Sequence, residues 1–290
     1  MINSVDESRA DFQVHAYPRS WRIITGALFA VSRASLPVIL VLVVVATDPP
    51  ITPPILIRLV TIFALLPGLA AWLIERAFAA NVEVRTGELV VRRHDLRLEI
   101  PCNSIEDVAP WIVPLPGPGL SLRMRSGRRL RYGLQSADPT PLLLALADVG
   151  GVDAARSAAH HPSVVYAHVK QASAPRRWYH RVGKFVVFAL LPTVPLFRVH
   201  QLIAYGGSLG EYYLYGLGRY LQTFAVYWTT LSIYLVLYAS VWRGLAEGAA
   251  LLSAWVAPSR AARVRRVAEI TCQVAYYGGV PLLLVLRFLP

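Results

Sequence analysis

Two long apolar blocks, near residues 23–79 and 184–289, most constrain how this chain can fold. Backbone polar groups in the hydrocarbon core of a bilayer must be satisfied within the protein, so apolar stretches of roughly 20 residues indicate membrane-spanning helices. The first block is divided by Asp48-Pro49-Pro50 and Pro53-Pro54, which predict a tight turn. The pattern therefore predicts a two-span transmembrane hairpin over residues 23–79.

The second block predicts a C-terminal transmembrane unit, residues 184–290, of about three spans. The third span of the chain begins at Lys184, the fourth runs from about Tyr220 to Val241, and the last from about Ile270 to Leu289. Composition agrees with this class, because only 16% of the residues are charged, against about 25% in ordinary soluble domains. We therefore expect a multipass α-helical membrane protein of about five spans.

The basic residues predict the orientation, because cytoplasmic segments near span ends are enriched in arginine and lysine. Placing segments 1–22, 76–184 and 243–266 inside accounts for all but five of the 29 basic residues. The five exceptions are Arg33, Arg58, Arg198, Arg219 and Arg287. This distribution explains the net charge of +12 without a nucleic-acid partner. We expect a cytoplasmic N-terminal segment, 1–22, no cleaved signal peptide, and a location in the bacterial cytoplasmic (inner) membrane.

Between the apolar blocks, residues 80–150 alternate apolar and charged side chains, as half-buried strands do. The clearest hairpin is Leu120–Leu134, for which we predict a three-residue loop, Ser126-Gly127-Arg128, because Gly127 can adopt a left-handed conformation. A short helix, Leu142–Val149, follows a proline-permitted start at Asp138-Pro139-Thr140-Pro141. The pattern predicts a small α+β domain at 80–150, closed by a C-terminal helix and followed by a basic linker, 151–183.

This block resembles the bacterial pleckstrin-homology-like domain family found in membrane proteins. The features that carry the resemblance, besides the preceding two-span hairpin, the charged hairpin and the closing helix, are the strand pair Val84–Arg93, Glu99-Ile100-Pro101 followed by Ile105, and Gly117-Pro118-Gly119-Leu120. The resemblance covers about residues 80–150. It implies a pleckstrin-homology-like β-domain that acts as a binding or scaffolding module, without catalytic residues.

The first candidate site is the charged face of the hairpin. Loop parity places Arg123, Arg125, Arg129 and Arg131 opposite its leucines, and like charges across a hairpin repel. One interpretation is docking onto anionic lipid headgroups, at roughly 1 kcal/mol per suitably placed charge. The other is a solvated face, because eight acidic residues offset the nine arginines between 80 and 150.

The second candidate site is a polar cluster in the C-terminal unit. Arg198, His200 and Glu211 lie near the junction of spans three and four, where ionisable side chains are costly and often functional. The neighbouring tyrosines are equally typical of an ordinary interfacial belt. Arg243 and Glu247, one helical turn apart, are interpreted either as part of this cluster or as a local salt bridge.

The motifs of common enzymes are missing from the sequence, which has no phosphate-binding glycine loop, nucleophile elbow or metalloprotease helix. His160, His161, His168 and His180 do not have zinc-ligand spacing. We therefore predict no catalytic residue, metal or cofactor. The expected function is a non-enzymatic membrane scaffold or sensor that binds membrane lipids or a protein partner, with a homo-oligomer left open. The alternative is a small transporter or membrane-embedded enzyme that uses the polar residues of spans three and four.

Overall fold

The structure, a computed structural model, describes residues 10–46, 48, 50–172 and 178–288. Residues 1–9 of the predicted N-terminal segment and 173–177 of the predicted linker lie outside the described residues. The strands are β1 (Ala10–Pro18), β2 (Ala79–Arg85), β3 (Glu88–Arg93), β4 (Leu96–Pro101), β5 (Ile105–Pro110), β6 (Gly119–Met124) and β7 (Tyr132–Gln135). The helices are α1 (Arg19–Val45), α2 (Pro53–Val60), α3 (Leu66–Ala77), α4 (Thr140–Asp148), α5 (Asp153–Ala158), α6 (Pro162–Ala172), α7 (Trp178–Val182), α8 (Leu190–Tyr205), α9 (Gly210–Val256), α10 (Ala261–Tyr277) and α11 (Gly279–Phe288).

The described residues form two compact units. The sheet unit comprises the described parts of 1–32, 66–174 and 248–266, and the helical unit comprises those of 33–65, 175–247 and 267–290. Several long helices contribute to both units, so the membrane helices and the β-domain do not separate along the chain in a simple order.

All seven strands of the sheet unit belong to one curled, antiparallel sheet with the order β4-β3-β2-β1-β7-β6-β5. The central strand, β1, pairs with β2 from Ala10 to His15 and with β7 from His15 to Pro18. Sequence reasoning placed no strand in this segment. β1 nevertheless joins two halves of three strands each, β4-β3-β2 and β7-β6-β5.

One face of this sheet is covered by α4, which lies where a closing helix was predicted. Thr140 donates its backbone N–H to the Asp138 carboxylate at 2.9 Å, which fixes the start of the helix. The core is formed by alternate residues of the strands and by leucines of α4. Its fully or almost fully buried members include Val82, Val84, Leu89, Val91, Leu120, Leu122, Leu134, Leu142, Leu143 and Leu146.

The sheet continues directly into the first helical hairpin. β1 ends at Pro18 and α1 begins at the next residue, while only Phe78 separates α3 from β2. Ala16 donates its backbone N–H to the Phe78 carbonyl at 2.9 Å. The rings of Tyr17 and Trp21 lie 5.4 and 5.8 Å from the Phe78 ring, measured between centroids. Both ends of the hairpin are therefore attached to neighbouring central strands of one sheet.

The helical unit has two apolar clusters. The first packs α1 and α2 against α9 through Ile39, Leu56, Val60 and Leu237. The second joins Phe185, Phe188 and Ala189, which precede α8, to α9, α10 and α11 around Tyr276. Tyr276 is 1% exposed and donates its hydroxyl hydrogen to the Lys184 carbonyl at 2.8 Å. Much of the remaining helix surface is apolar and exposed, as expected for side chains that face lipid.

Four helical stretches among the described residues are long and apolar enough to cross a bilayer: Arg19–Val45, Pro53–Ala77, Gly183–Tyr205 and Gly210–Val256. The protein therefore has the helices of a multipass membrane protein. The last of the four contains the predicted Tyr220–Val241 span but is 47 residues long. The predicted final span falls on α10 and α11, of 17 and 10 residues, which Gly278 separates. A fifth crossing stays a prediction.

Candidate functional site

The tip of the β6–β7 hairpin is closed by a three-residue loop, Arg125-Ser126-Gly127. Met124 donates its N–H to the Arg128 carbonyl at 2.9 Å, and Gly127 donates to the Met124 carbonyl at 2.8 Å. Gly127 has a φ of 76°, in the left-handed region. The predicted loop, Ser126-Gly127-Arg128, was therefore wrong by one residue. In a three-residue hairpin loop the left-handed residue takes the last position, where it forms a bulge, and Gly127 has that position here.

The hairpin is regular near its tip and irregular where it joins the sheet. Arg123 lies opposite Arg129, whereas Leu120 lies opposite Leu134. The returning chain therefore carries two more residues than β6 between these pairs, and Arg131 lies in the resulting bend just before β7. The four predicted arginines do not form one flat face. They are all exposed, however, as is Arg128.

The arginines of this segment, residues 123–131 (the arginine hairpin), differ in their ion pairing. Arg123 lies 3.5 Å from a carboxylate oxygen of Glu106 and pairs across the sheet with Asp107. No described residue forms an ion pair with the other four, Arg125, Arg128, Arg129 and Arg131.

The arginines of β2, β3 and β4 all have carboxylate partners. Arg85 and Arg92 pair with Glu83, Arg93 pairs with Asp95, and Arg97 pairs with Glu99. A nearly neutral domain thus concentrates its uncompensated positive charge at one hairpin tip. Such a tip suits an anionic surface, because each charge that binds there loses no internal partner.

The membrane polar cluster centres on Glu211, which is 1% exposed. The Gln201 side-chain amide donates to one carboxylate oxygen at 2.7 Å, and the Thr223 hydroxyl donates to the other at 2.6 Å. Glu211 in turn donates its backbone N–H to the Gln201 side-chain oxygen at 3.2 Å. The carboxylate is therefore fully enclosed and satisfied by neutral groups.

A break in α9 brings Thr223 to Glu211. Twelve residues of straight α-helix would separate them by about 18 Å along the axis. Gly216 has φ 81° and ψ 172°, which interrupts the helix between them. The turn that carries Glu211 can then fold back toward Thr223, and an otherwise continuous apolar helix acquires a buried carboxylate.

Among the described residues, the other predicted members of this cluster form no hydrogen bond or ion pair with Glu211. Arg198 is exposed, and no described hydrogen bond or ion pair joins it to Glu211. His200 is half-buried, with its ring 5.1 Å from that of Tyr227. Arg243 and Glu247 approach to 3.8 Å within α9, as the local salt-bridge interpretation expects. Sequence reasoning missed Thr223, because only the helix break at Gly216 makes it a neighbour of Glu211.

A third polar cluster, at the junction of the sheet and the first hairpin, also escaped sequence reasoning. Gln135 of β7 donates its side-chain N–H to the Glu75 carboxylate of α3 at 2.8 Å. Burial lowers the pKa of His15 in β1, with Glu75 opposing this effect, and burial together with Glu75 raises the pKa of Tyr17. These residues come from three elements far apart in sequence, so no local pattern could have joined them.

No protein-family model matches this chain, and no curated protein or solved structure matches it either. The arginine hairpin is exposed and electrostatically uncompensated, which suits binding. The Glu211 cluster is enclosed and fully hydrogen-bonded, which suits either structural support or a step within the membrane.

Proposed function

We propose that this protein is a non-enzymatic membrane scaffold or sensor whose pleckstrin-homology-like domain binds anionic lipid headgroups at the cytoplasmic face of a bacterial inner membrane. The observation that carries the proposal is the arginine hairpin, with four exposed arginines that lack ion pairs among the described residues. Each suitably placed arginine near an anionic leaflet contributes about 1 kcal/mol.

The chain segments that form the sheet unit support a cytoplasmic location for the β-domain. In this unit Tyr166 of α6 packs against Ala250, Ala254 and Ala261, from the end of α9 and the start of α10. Segments 10–18, 79–172 and 248–266 thus belong to one compact body. The distribution of basic residues assigns the same segments to the cytoplasm.

The register of β7 supports lipid, rather than a protein, as the partner. Tyr132, the first residue of β7, lies opposite Pro18, and Arg19 then begins the spanning helix α1. The base of the arginine hairpin therefore lies beside the junction of β1 with α1. Charges within a Debye length of the surface, about 8–10 Å at physiological salt, still attract anionic lipid.

Amide hydrogen exchange in reconstituted full-length protein tests this proposal. We expect slower exchange over residues 123–131 in vesicles that contain phosphatidylglycerol than in pure phosphatidylcholine, and we expect high salt to remove the difference. The triple variant R125Q/R129Q/R131Q should also remove it, because it deletes uncompensated charges.

The matched control is R92Q/R97Q/R156Q, which makes the same change in net charge outside the arginine hairpin. Each arginine in this variant already has an acidic partner, Glu83, Glu99 or Asp148. Protection should therefore persist. Equal exchange in both kinds of vesicle, or equal loss of protection in both triple variants, would refute the lipid-binding proposal.

The buried Glu211 favours a second candidate function, a small transporter or membrane-embedded enzyme. A carboxylate within a membrane helix is costly and frequently marks an ion or substrate path. Under this function, vesicles that contain the protein should show ion or proton movement across the membrane, and E211Q should lose it while remaining folded. Wild-type vesicles as impermeable as empty ones would instead assign Glu211 a structural role.

A further inference from the structure

The loop between β5 and β6 differs in chemistry from the rest of the domain. From Val108 to Leu122 the chain has no charged side chain, although residues 80–150 contain nine arginines and eight acidic residues elsewhere. Ile112 and Val113 of this loop are 66% and 57% exposed. Two adjacent apolar side chains on the surface of so highly charged a domain indicate a partner that is itself apolar.

Trp111 holds the base of this loop in a fixed position. The side chain is 4% exposed, and its indole N–H donates to the Ser121 hydroxyl at 3.0 Å. Its backbone N–H donates to the Gly119 carbonyl at 2.9 Å. The ring covers Gly119 and Gly133 so closely that an added Cβ at either would lie 2.7 Å from a ring atom. The exposure of Ile112 and Val113 is therefore imposed by a well-packed anchor.

The same loop packs against the first turns of α1. The Arg22 guanidinium lies 3.6 Å from the centroid of the Trp111 ring. An added Cβ at Gly26 would lie 3.6 Å from the backbone of Leu115. Gly26 is one turn beyond Arg22, about 6 Å further along the helix axis, and already within the apolar part of α1. The loop thus follows a spanning helix into its apolar region.

We infer that this loop dips into the bilayer surface beside α1 and inserts Ile112 and Val113 among the lipid acyl chains. Interfacial segments bury apolar side chains about 5–10 Å into the headgroup–acyl boundary, a range that includes the rise of about 6 Å along α1 from Arg22 to Gly26. Ile23 and Ile24, in the same part of α1, are 61% and 44% exposed, as apolar side chains that face lipid would be. The occupant is therefore the lipid that already surrounds α1.

This contact is independent of the arginine hairpin, because it requires no anionic lipid. Its consequence is mechanical. The sheet is already fixed to α1 and α3 through β1 and β2, and a third point of membrane contact would fix its tilt. The domain would then have one orientation relative to the bilayer.

Depth-dependent fluorescence quenching tests the inference in the full chain. Val113→Cys is made in a Cys272→Ser background, which removes a native cysteine that is only partly buried. Cys102 is kept, because it is buried and protected from labelling. The protein is labelled with an environment-sensitive fluorophore and reconstituted in pure phosphatidylcholine. We expect blue-shifted emission, strong quenching by nitroxide-labelled lipid and weak quenching by aqueous iodide. Ile112→Cys, the second labelling position, should behave in the same way.

The control is Thr86→Cys, in the exposed turn at the end of β2 that lies away from α3. Its label should be quenched by iodide and not by lipid nitroxide. The inference is overturned if the labels at 112 and 113 behave like the label at 86. It is equally overturned if they are shielded from both quenchers, because a protein surface would then cover the loop.

Discussion

Gly127 illustrates, at the scale of a single residue, how backbone conformation sets the arginine hairpin. Its φ is 76°, yet an added Cβ would have no heavy atom within 4 Å. Any cost of Gly127→Ala must therefore come from backbone conformation, about 1–2 kcal/mol. We predict that G127A lowers the free energy of unfolding by about 1 kcal/mol and G127N by less, since asparagine tolerates this region. Chemical denaturation measures both, and S126A, with an unchanged stability, is the control.

Gly133 is constrained by packing instead. An added Cβ would lie 2.7 Å from Trp111, which its own hydrogen bonds hold in place. We predict that G133A destabilises the protein by about 1–3 kcal/mol. Replacing the Trp111 ring should relieve much of the clash with the added Cβ. The loss of unfolding free energy in G133A/W111L should therefore be smaller than the sum of the losses in the two single variants. If thermal unfolding shows that the losses of stability in the two single variants add up to the loss in the double variant, a clash between the added Cβ and Trp111 is contradicted.

His15 should make stability depend on pH. Burial holds its folded-state pKa below the ordinary value of 6.5, with Glu75 opposing part of the effect. Above pH 6.5 both states are neutral and His15 has no effect. As the pH falls below 6.5, the unfolded chain takes up a proton first, so stability is lost until the folded-state pKa is passed.

We therefore predict that the wild type loses more stability than H15Q between pH 6.5 and about 5. Burial also lowers the pKa of His161, and this contribution remains in both proteins. H94Q, which changes an exposed histidine in the turn between β3 and β4, is the control. Parallel stability profiles for the wild type and H15Q would disprove the prediction.

Among the secondary-structure elements, those with a clear local pattern of apolar and polar residues can be predicted from the sequence. Four of the five predicted spans, the β6–β7 hairpin and α4 have strong local patterns and correspond to elements of the structure. β1 alternates Phe12, Val14 and Ala16 with polar residues, but the pattern is short and leads straight into a spanning helix. Its partners, β2 and β7, lie more than 60 residues away, so only the folded sheet reveals that it is central.

The candidate sites show the same limit. The sequence displays the arginines of the hairpin, but not which of them are neutralised. Glu106 and Asp107 become neighbours of Arg123 only through the register of β5 against β6, which includes an irregularity at this point. Likewise, Glu211 is conspicuous in sequence, whereas its hydrogen bond with Thr223 depends on the break at Gly216.

Gly216 should contribute to stability through its backbone conformation. Its φ and ψ of 81° and 172° lie in a region open almost only to glycine, so Gly216→Ala should cost about 1–3 kcal/mol. Straightening of the helix would also separate Thr223 from Glu211. Unfolding in detergent should show the loss of stability. Gly244→Ala, on the same helix with no heavy atom near the added Cβ, should leave stability unchanged or raise it slightly.

At the scale of the whole molecule, the sheet and the first helical hairpin form one continuous construction. The segment before the hairpin supplies the central strand, and the segment after it supplies the neighbouring strand, with Ala16 and Phe78 hydrogen-bonded between them. The β-domain is thus completed by residues from both sides of the hairpin. Any displacement of the start of α1 relative to the end of α3 would therefore strain the β1–β2 pairing.

This arrangement predicts that residues 79–172 cannot fold alone. Without β1, the strand sets β4-β3-β2 and β7-β6-β5 lose the ladder that joins them, and Val14 and Ala16 leave the core. The fragment should lack the near-ultraviolet circular dichroism of a packed core. A peptide of residues 10–18, added in trans or tethered, should restore it, and the same peptide with Val14→Asp should fail. A cooperative unfolding transition in the fragment alone would show instead that β1 is dispensable, and the two halves of the sheet would need another connection.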